Sequence, residues 1–593
     1  MPMVIFFLFW AMIICPVVVF AGSDVGNASV KTANSDSKAG QKVALVMKAL
    51  SNPFFAKMEK GAKDYAHKNG IHLEVFGVER ETDVQEQITI VKRLIQQKYP
   101  AIVIAPADSK RLVPVVREAV DKNIVIINID NALDKNTLGE AGIKVPFVGS
   151  DNFLGSRMTG DYVRSKLPKG GNVLYIEGIR GNENADLRRD GFLAGISSAP
   201  FKILGTISAN WHADEAMNQV ADFLSRTKES VDVIACANDV MALGALQAIN
   251  AFMEGEKRPL VTGYDNIPEV RSELFNGNIQ ATIEQHPEMM GAYGLKLAVQ
   301  SLKGETVPVY EPTPLDLVSF DTFGKKVMLS VSNLENPFFT TMVDGAREAA
   351  ELHGMTIEVV DAKNDNARQL EDISTYLEQG MDLFIVNPTD SVASGPGIEL
   401  ANSVGVPVIT VDRHSIDGTV AAHIASDNSQ GGRMAAQYIH ENFPDGCKIL
   451  EIQGILGTSA AHERGTGFND YFREYKGFDI ERVTADFDGE KAKKTVREML
   501  GQGRLYDAVF AHNDEMIFGA LTAFQESGVA ALPILVGFDA IDKVVDAVKK
   551  DVISATIAQK PYVMGGMAIG VAADLLRNMD VKSEIRVGLQ LIN

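Results

Sequence analysis

Three cysteines in 593 residues are too few for a disulfide framework. Cys15 lies in the N-terminal apolar run, and Cys236 and Cys447 stand in different halves of the chain, where both fit small core residues better than a bridge. The ten histidines are scattered, and His462-Glu463 lacks the second histidine of a zinc-binding HExxH. DAKNDNARQLE, from Asp361, has Lys363 where a calcium loop needs an oxygen ligand and no glycine at the turn, which leaves a strand-to-helix loop. No GxxxxGK[ST] phosphate loop and no GxSxG elbow occur, so neither a built-in ATPase nor an α/β-hydrolase is encoded. A basic block is missing too. Lys and Arg number 57 against 77 Asp and Glu, and the formal charge of −20 has the wrong sign for displacing counterions from phosphates. The expectation is a chain that is no enzyme, takes no cofactor or metal and binds no nucleic acid.

A long apolar run occurs only at the start, MPMVIFFLFWAMIICPVVVF. It is short for a membrane span and Pro16 interrupts it. Val19 and Ala21 before Gly22 fit a signal-peptidase site, although no Lys or Arg precedes the apolar core. A cleaved signal over 1–21 is expected, without a lipid anchor at Cys15, then a flexible Ser/Asn/Gly/Lys-rich leader over 22–41. The whole chain is 46% apolar and 23% charged, ordinary for globular domains.

What is present is one unit written twice. NPFF occurs at Asn52–Phe55 and Asn336–Phe339, and APADS from Ala105 answers NPTDS from Asn387. SDN at Ser150 and Ser426, ANDVMALGAL from Ala237 and HNDEMIFGAL from His512, GYD from Gly263 and GFD from Gly537, and ATIEQHP from Ala281 and ATIAQKP from Ala555 follow in the same order. The repeat far exceeds the roughly 20–45 residues of a solenoid repeat and marks a duplication. The divisions expected are unit 1 over 42–312, a Pro/Gly-containing irregular linker over 313–325, and unit 2 over 326–593.

Inside each unit, short apolar strands such as KVALVM, AIVIAPA and IVIINID alternate with helices such as the one bearing Val84, Ile88, Val91 and Ile95. That order predicts a parallel sheet covered on both faces. The pattern restarts after Ser150, so each unit is expected to have two doubly wound α/β lobes joined by a hinge. The repeated motifs fall just after strands, where open parallel sheets bind ligands.

Those motifs carry fork-shaped polar groups and aromatics: Asn336, Asn387, Asp412, Arg413, Arg464, Asn513, Asp539 and Gln559, with Phe338, Phe339, Phe487 and Phe538. Sugar hydroxyls, which both donate and accept, suit such groups, and sugar C–H faces suit aromatic walls. Two Asp against two Arg suit an uncharged ligand. The competing reading of each Asp or Asn is a helix cap or turn residue.

Unit 2 resembles the bacterial ribose-binding proteins along its length, through SVSNLENPFF, FIVNPTDS, VITVDRH, HIASDN, EIQGILGTSAAHERGTGF, ADFD, VFAHNDEM, VGFD and ATIAQKP. The resemblance implies a pyranose sandwiched by Phe338, Phe339 and Phe487. Its hydroxyls would bond Asp412, Arg413, Arg464, Asn513, Asp539 and Gln559, with Ser332, Asn336 and Asn387 adjoining and Phe538 closing the pocket. Unit 1 resembles allose- and polyol-binding relatives through LSNPFF, IAPADS, INIDN, FVGSDN, IEGIRGNENADLRRDGF, ANW, CANDVMALGA, GYDNIPE and TIEQHP. This implies Asn52, Phe54, Phe55, Asp130, Arg188, Trp211, Asn238, Asp265 and Gln285. Lys48 replaces Ser332, Ala105 replaces Asn387, Asn131 replaces Arg413 and Trp211 replaces Phe487, which implies a different ligand. The family implies capture by lobe closure and delivery in the periplasm to an ABC permease or a chemoreceptor. Import and sensing stay open. A DNA-binding regulator of the same fold would need a helix-turn-helix before unit 1, where the signal and leader stand instead.

Overall fold

A computed structural model describes residues 42–253, 257–529 and 531–593. The expected signal and leader lie outside the described residues. The described residues build four six-stranded sheets, here numbered as lobes I to IV. In sheet order, lobe I runs Tyr310–Pro312, Phe147–Gly149, Val125–Ile129, Ala101–Ile104, Lys42–Ala49, His72–Val78. Lobe II runs Asp316–Ser319, Ala281–Glu284, Leu260–Thr262, Val233–Cys236, Gly171–Glu177, Phe201–Ser208. Unit 2 repeats the plan, with lobe III built around Lys326–Val331 and lobe IV around Lys448–Gln453. Two tandem α/β units of two doubly wound lobes are therefore present.

The central strands AIVI, LFIV and AVFA are buried at every residue, because helices cover both faces. The pairs are parallel except at one edge of lobes II and IV, where Asp316–Ser319 and Gln590–Ile592 return antiparallel. In every lobe the first strand lies between the second and third, so the sheet order reverses beside it. Helices on either side of that point diverge and leave a crevice at the strands' carboxyl ends.

Both NPFF motifs form helix starts. Asn52 Oδ1 accepts from the Phe54 N–H, Pro53 takes the first helical position, and the helix Pro53–Asn69 ends at Gly70 with φ 64. Asn336 caps Pro337–Leu352 in the same way. Each cap sets two phenylalanines at the mouth of the crevice.

Three segments cross between the lobes of unit 1: after Gly149, after Glu284, and between Pro312 and Asp316. Two of them are clamped, since His286 Nε2 lies 2.7 Å from Asp316 Oδ2. The same three crossings recur in unit 2 after Ser426, Ala558 and Val587.

The expected linker is corrected here. Residues 316–319 complete the sheet of lobe II, paired with Ala281–Glu284, with Leu317 and Val318 buried. Phe320–Thr322 then forms a 3-10 turn, and strand Lys326–Val331 of lobe III follows. Prolines at 312 and 314 had masked a strand too short to show a period.

Candidate ligand clefts

Each unit has a small space between its lobes, with a cavity volume of about 20 Å³ in either unit. The clefts are closed: in unit 1 Lys57 Nζ of lobe I reaches the Asn266 carbonyl of lobe II at 3.1 Å. In unit 2 the Ser459 N–H donates to Ser391 Oγ, and Ser459 Oγ accepts from the His414 N–H, both at 3.0 Å.

In unit 2 the lining comprises Asn336, Phe338, Phe339, Asp412, Arg413, Arg464, Phe487, Asn513, Asp539 and Gln559, together with Ala460. Phe338 and Phe339 meet edge to face, their centroids 5.2 Å apart. The Arg413 guanidinium sits 5.5 Å from the Phe339 centroid and 5.2 Å from that of Phe487 in lobe IV. Arg464 donates to Asn428 Oδ1 at 2.9 Å and to the His512 carbonyl at 2.5 Å, and lies 3.8 Å from Asp539. Gln559 Nε2 donates to Asp539 Oδ1 at 2.8 Å. Burial pushes the Asp539 carboxyl up to about 7, against the pull of Arg464. Burial likewise lowers Arg413 to about 10, against Asp412. These charges are far from water and held by few partners, so a ligand hydroxyl that bonds them replaces lost solvation.

Three expected residues stand behind that lining. Asn387 spends its amide inside lobe III, accepting from the Ser332 N–H and donating to the Val411 carbonyl and to Asp412. It orients Asp412. Ser332 is fully buried beside it. Phe538 lies under Arg464, 3.8 Å from the guanidinium, and supports the pocket floor where a closing wall was expected.

In unit 1 Lys48, Asn52, Phe54, Phe55, Asp130, Arg188, Trp211, Asn238 and Asp265 converge, joined by Glu81 and Asn184. Lys48 Nζ is 2.9 Å from Asp130 and 3.6 Å from Glu81. Gln285 bridges Asp265 at 2.7 Å and Ser150 at 2.5 Å, one step behind the lining. Asn131 turns away and donates to the Pro106 carbonyl and Ser109 Oγ, so it shapes the loop and leaves the cleft to its neighbour Asp130. Glu81 has no counterpart in the repeated motifs, and comparing the copies could not have found it. Its presence sets three carboxylates against Lys48 and Arg188, and burial pushes the Glu81 carboxyl up.

Asn238 and Asn513 do what the competing reading requires, since each caps a helix through Oδ1. They also line the clefts, so the two roles are compatible. Several cleft residues also adopt the left-handed or neighbouring positive-φ region: Asp130 at 64°, Trp211 at 71°, Asp265 at 112°, Asp412 at 63°, Phe487 at 62° and Asp539 at 120°. Such strain in non-glycine residues collects at functional sites.

Some buried polar atoms without a partner lie in the cleft linings: Arg413 Nε and Gln559 Oε1 in unit 2 and Trp211 Nε1 in unit 1.

The family model "Periplasmic binding protein domain" matches residues 43–306 and again 327–580. The ribose import binding protein of Bacillus subtilis is 42% identical over 264 residues, 44% of this chain and 85% of that protein. The D-ribose/D-allose-binding protein of Pseudomonas aeruginosa is 39% identical over 285 residues, 47% of this chain and 88% of that protein. The D-allose-binding periplasmic protein of Escherichia coli is 35% identical over 285 residues, 47% of this chain and 91% of that protein. With the domain present twice and both copies carrying a closed interlobe cleft, the chain belongs to the periplasmic binding protein family as a tandem member.

Proposed function

We propose that the chain is an exported solute-binding protein that captures two small neutral sugars, one per unit, by hinge closure and performs no reaction on them. Unit 2 takes a ribose-like sugar and unit 1 a different sugar or a polyol. The observation that carries this reading is the pairing of aromatic walls from opposite lobes with buried, unpartnered polar atoms between them. Stacking faces take the C–H surface of a sugar ring, and the orphan donors and acceptors take its hydroxyls. Two carboxyl groups face two guanidinium groups in unit 2, so opposite charges are set against each other there. In unit 1 the carboxyls of Glu81, Asp130 and Asp265 face Lys48 and Arg188, and burial raises the Glu81 carboxyl.

The closed form differs in outline from the open one, and a membrane partner can select it. We assign that partner as the permease of an ABC-type importer, with residues 1–21 as the export signal and the periplasm as the place of action. Calorimetry of the exported full chain against pentoses, hexoses and polyols tests the reading. D-Ribose should saturate one site per chain, and a second sugar or polyol should fill another without displacing it. Two equal ribose sites, or none, would overturn the assignment.

A further inference from the structure

Unit 1 and unit 2 meet at a built interface. It lies between lobe II and lobe III, away from both clefts. On the lobe III side two helices, Pro337–Leu352 and Pro561–Leu576, end together. Helix carboxyl ends carry partial negative charge and unsatisfied carbonyls. Arg271 of lobe II donates to the Leu352 carbonyl at 3.0 Å and the Glu351 carbonyl at 2.6 Å. In the other direction, Arg577 at the end of the second helix reaches into lobe II. Its Nε donates to Ser319 Oγ at 2.8 Å, and Nη2 donates to the Leu317 carbonyl. Nη2 also lies 3.2 Å from His353 Nδ1, which must accept because a guanidinium only donates.

Arg577 and His353 are each only 2% exposed. Separating the lobes would strand a guanidinium and several carbonyls that now satisfy one another. Apolar contact adds to this: Leu352 and Met579 of unit 2 pack on the core of unit 1, and Phe323 fills the space over Gly354. The connecting segment is short and tied down, with the Gly324 N–H donating to the Gly354 carbonyl and Thr322 Oγ1 to the His353 carbonyl, both at 2.8 Å.

The duplication supplies an internal control. The position of Arg577 in the helix of unit 2 is held in unit 1 by Lys303, and that of His353 by Asn69, both exposed. Where Arg271 and Phe275 stand in unit 1, unit 2 has Val545 and Lys549, and neither takes part in a junction. The copies thus differ at the positions that face the other unit in one copy and solvent in the other.

We propose that lobes II and III form one rigid central body, locked by Arg577, so that the chain opens only by movement of the outer lobes I and IV. No cleft-lining residue takes part in the junction, so it is the same whether either cleft is open or closed. This rests on the hinge-closure reading for the movement of the outer lobes, whereas the rigidity of the centre stands on the junction alone.

Spin labels on the full chain at Lys228→Cys and Glu399→Cys report the distance between lobes II and III. A second pair, Glu399→Cys and Lys494→Cys, spans the cleft of unit 2. The junction distance should be narrow and unchanged by D-ribose. A broad distribution, or a shift with ribose, overturns the rigid body whatever the cleft pair does. Absence of any ribose response in the cleft pair counts against hinge closure and leaves the junction distance to decide the present proposal. The double variant Arg577→Lys/His353→Asn installs the residues with which unit 1 folds at the equivalent positions. It should broaden the junction distance while ribose affinity stays within about threefold. A junction that stays narrow there, and in Arg271→Ala, overturns the assignment of the lock.

Discussion

Arg464 joins four groups at the centre of the unit 2 cleft: Asn428, the His512 carbonyl, Asp539 and the Phe538 ring. Arg464→Met keeps the length of the side chain and removes its donors, leaving Asp539 with Gln559 as its hydrogen-bonding partner. Ribose binding should weaken by about 2–5 kcal/mol, the usual cost of truncating one partner of a buried charged pair. Titration calorimetry on the variant checks this, and unchanged affinity would refute the ligand assignment. Two glycines matter for a steric reason that no motif announced. A Cβ on Gly454 would lie 2.1 Å from Phe487 Cζ, and one on Gly178 would lie 2.1 Å from Trp211 Cζ2. Each aromatic wall therefore rests flat on a glycine. Gly454→Ala should displace Phe487 and lower ribose affinity by about 1–3 kcal/mol, the scale of overpacking. Gly178→Ala should leave ribose binding unchanged and weaken only the ligand of unit 1.

At the scale of elements, the crossing segments decide what moves. In unit 1 two of the three are held together by His286, at φ 52, and Asp316. Burial works against the imidazolium, but the bonds to Asp316 and Glu288 more than offset it and push its pKa from 6.5 up to about 10. Burial would raise Asp316, and His286 overrides it, so that carboxyl is held below its ordinary value. The sign of the pH dependence follows. A folded pKa above the unfolded one stabilises fully below about 6.5 and is lost as pH climbs through about 10. The depressed Asp316 stabilises above about 4 and is lost as pH falls through its folded value. The denaturant midpoint of His286→Gln should therefore fall furthest below wild type between about pH 4 and 6.5, and the gap should close toward pH 10. A gap that widens in alkali would contradict the clamp.

For the whole molecule, each unit has its own core and its own cleft, so residues 326–593 should fold alone and bind D-ribose with an affinity within about threefold of the full chain. The isolated unit exposes Leu352, Met579 and the Arg577 face that unit 1 now covers. Its thermal midpoint should lie a few degrees below the unit 2 transition in the intact chain, because lost apolar burial of about 1 kcal/mol shifts a domain of this size by about 2–4 °C. Differential scanning calorimetry of both proteins measures the difference. An equal midpoint would show that the junction contributes nothing to stability.

The duplication, the α/β alternation and most of the cleft were legible in the chain because they are local. A strand-end motif such as NPFF or GFD carries its own cap, turn and side-chain direction, and its recurrence separated it from chance. Asp539 recurs in this way, whereas Asp130 and Arg188 rest on the family resemblance. What required the tertiary structure was whatever depends on residues meeting from distant segments. Glu81 enters the unit 1 cleft from a loop that carries no carboxylate at the matching position, Lys363, of the other copy, and Asn131 is drawn out of the cleft by Pro106 and Ser109. The strand Asp316–Ser319 reads as linker in the sequence because four residues just after Pro312 and Pro314 show no period, and only its pairing with Ala281–Glu284 makes it a strand. Arg577 and His353 are the residues that follow helices Pro561–Leu576 and Pro337–Leu352. Their burial between two units is a property of how the copies pack, and hydrophobic pattern within either copy does not encode it.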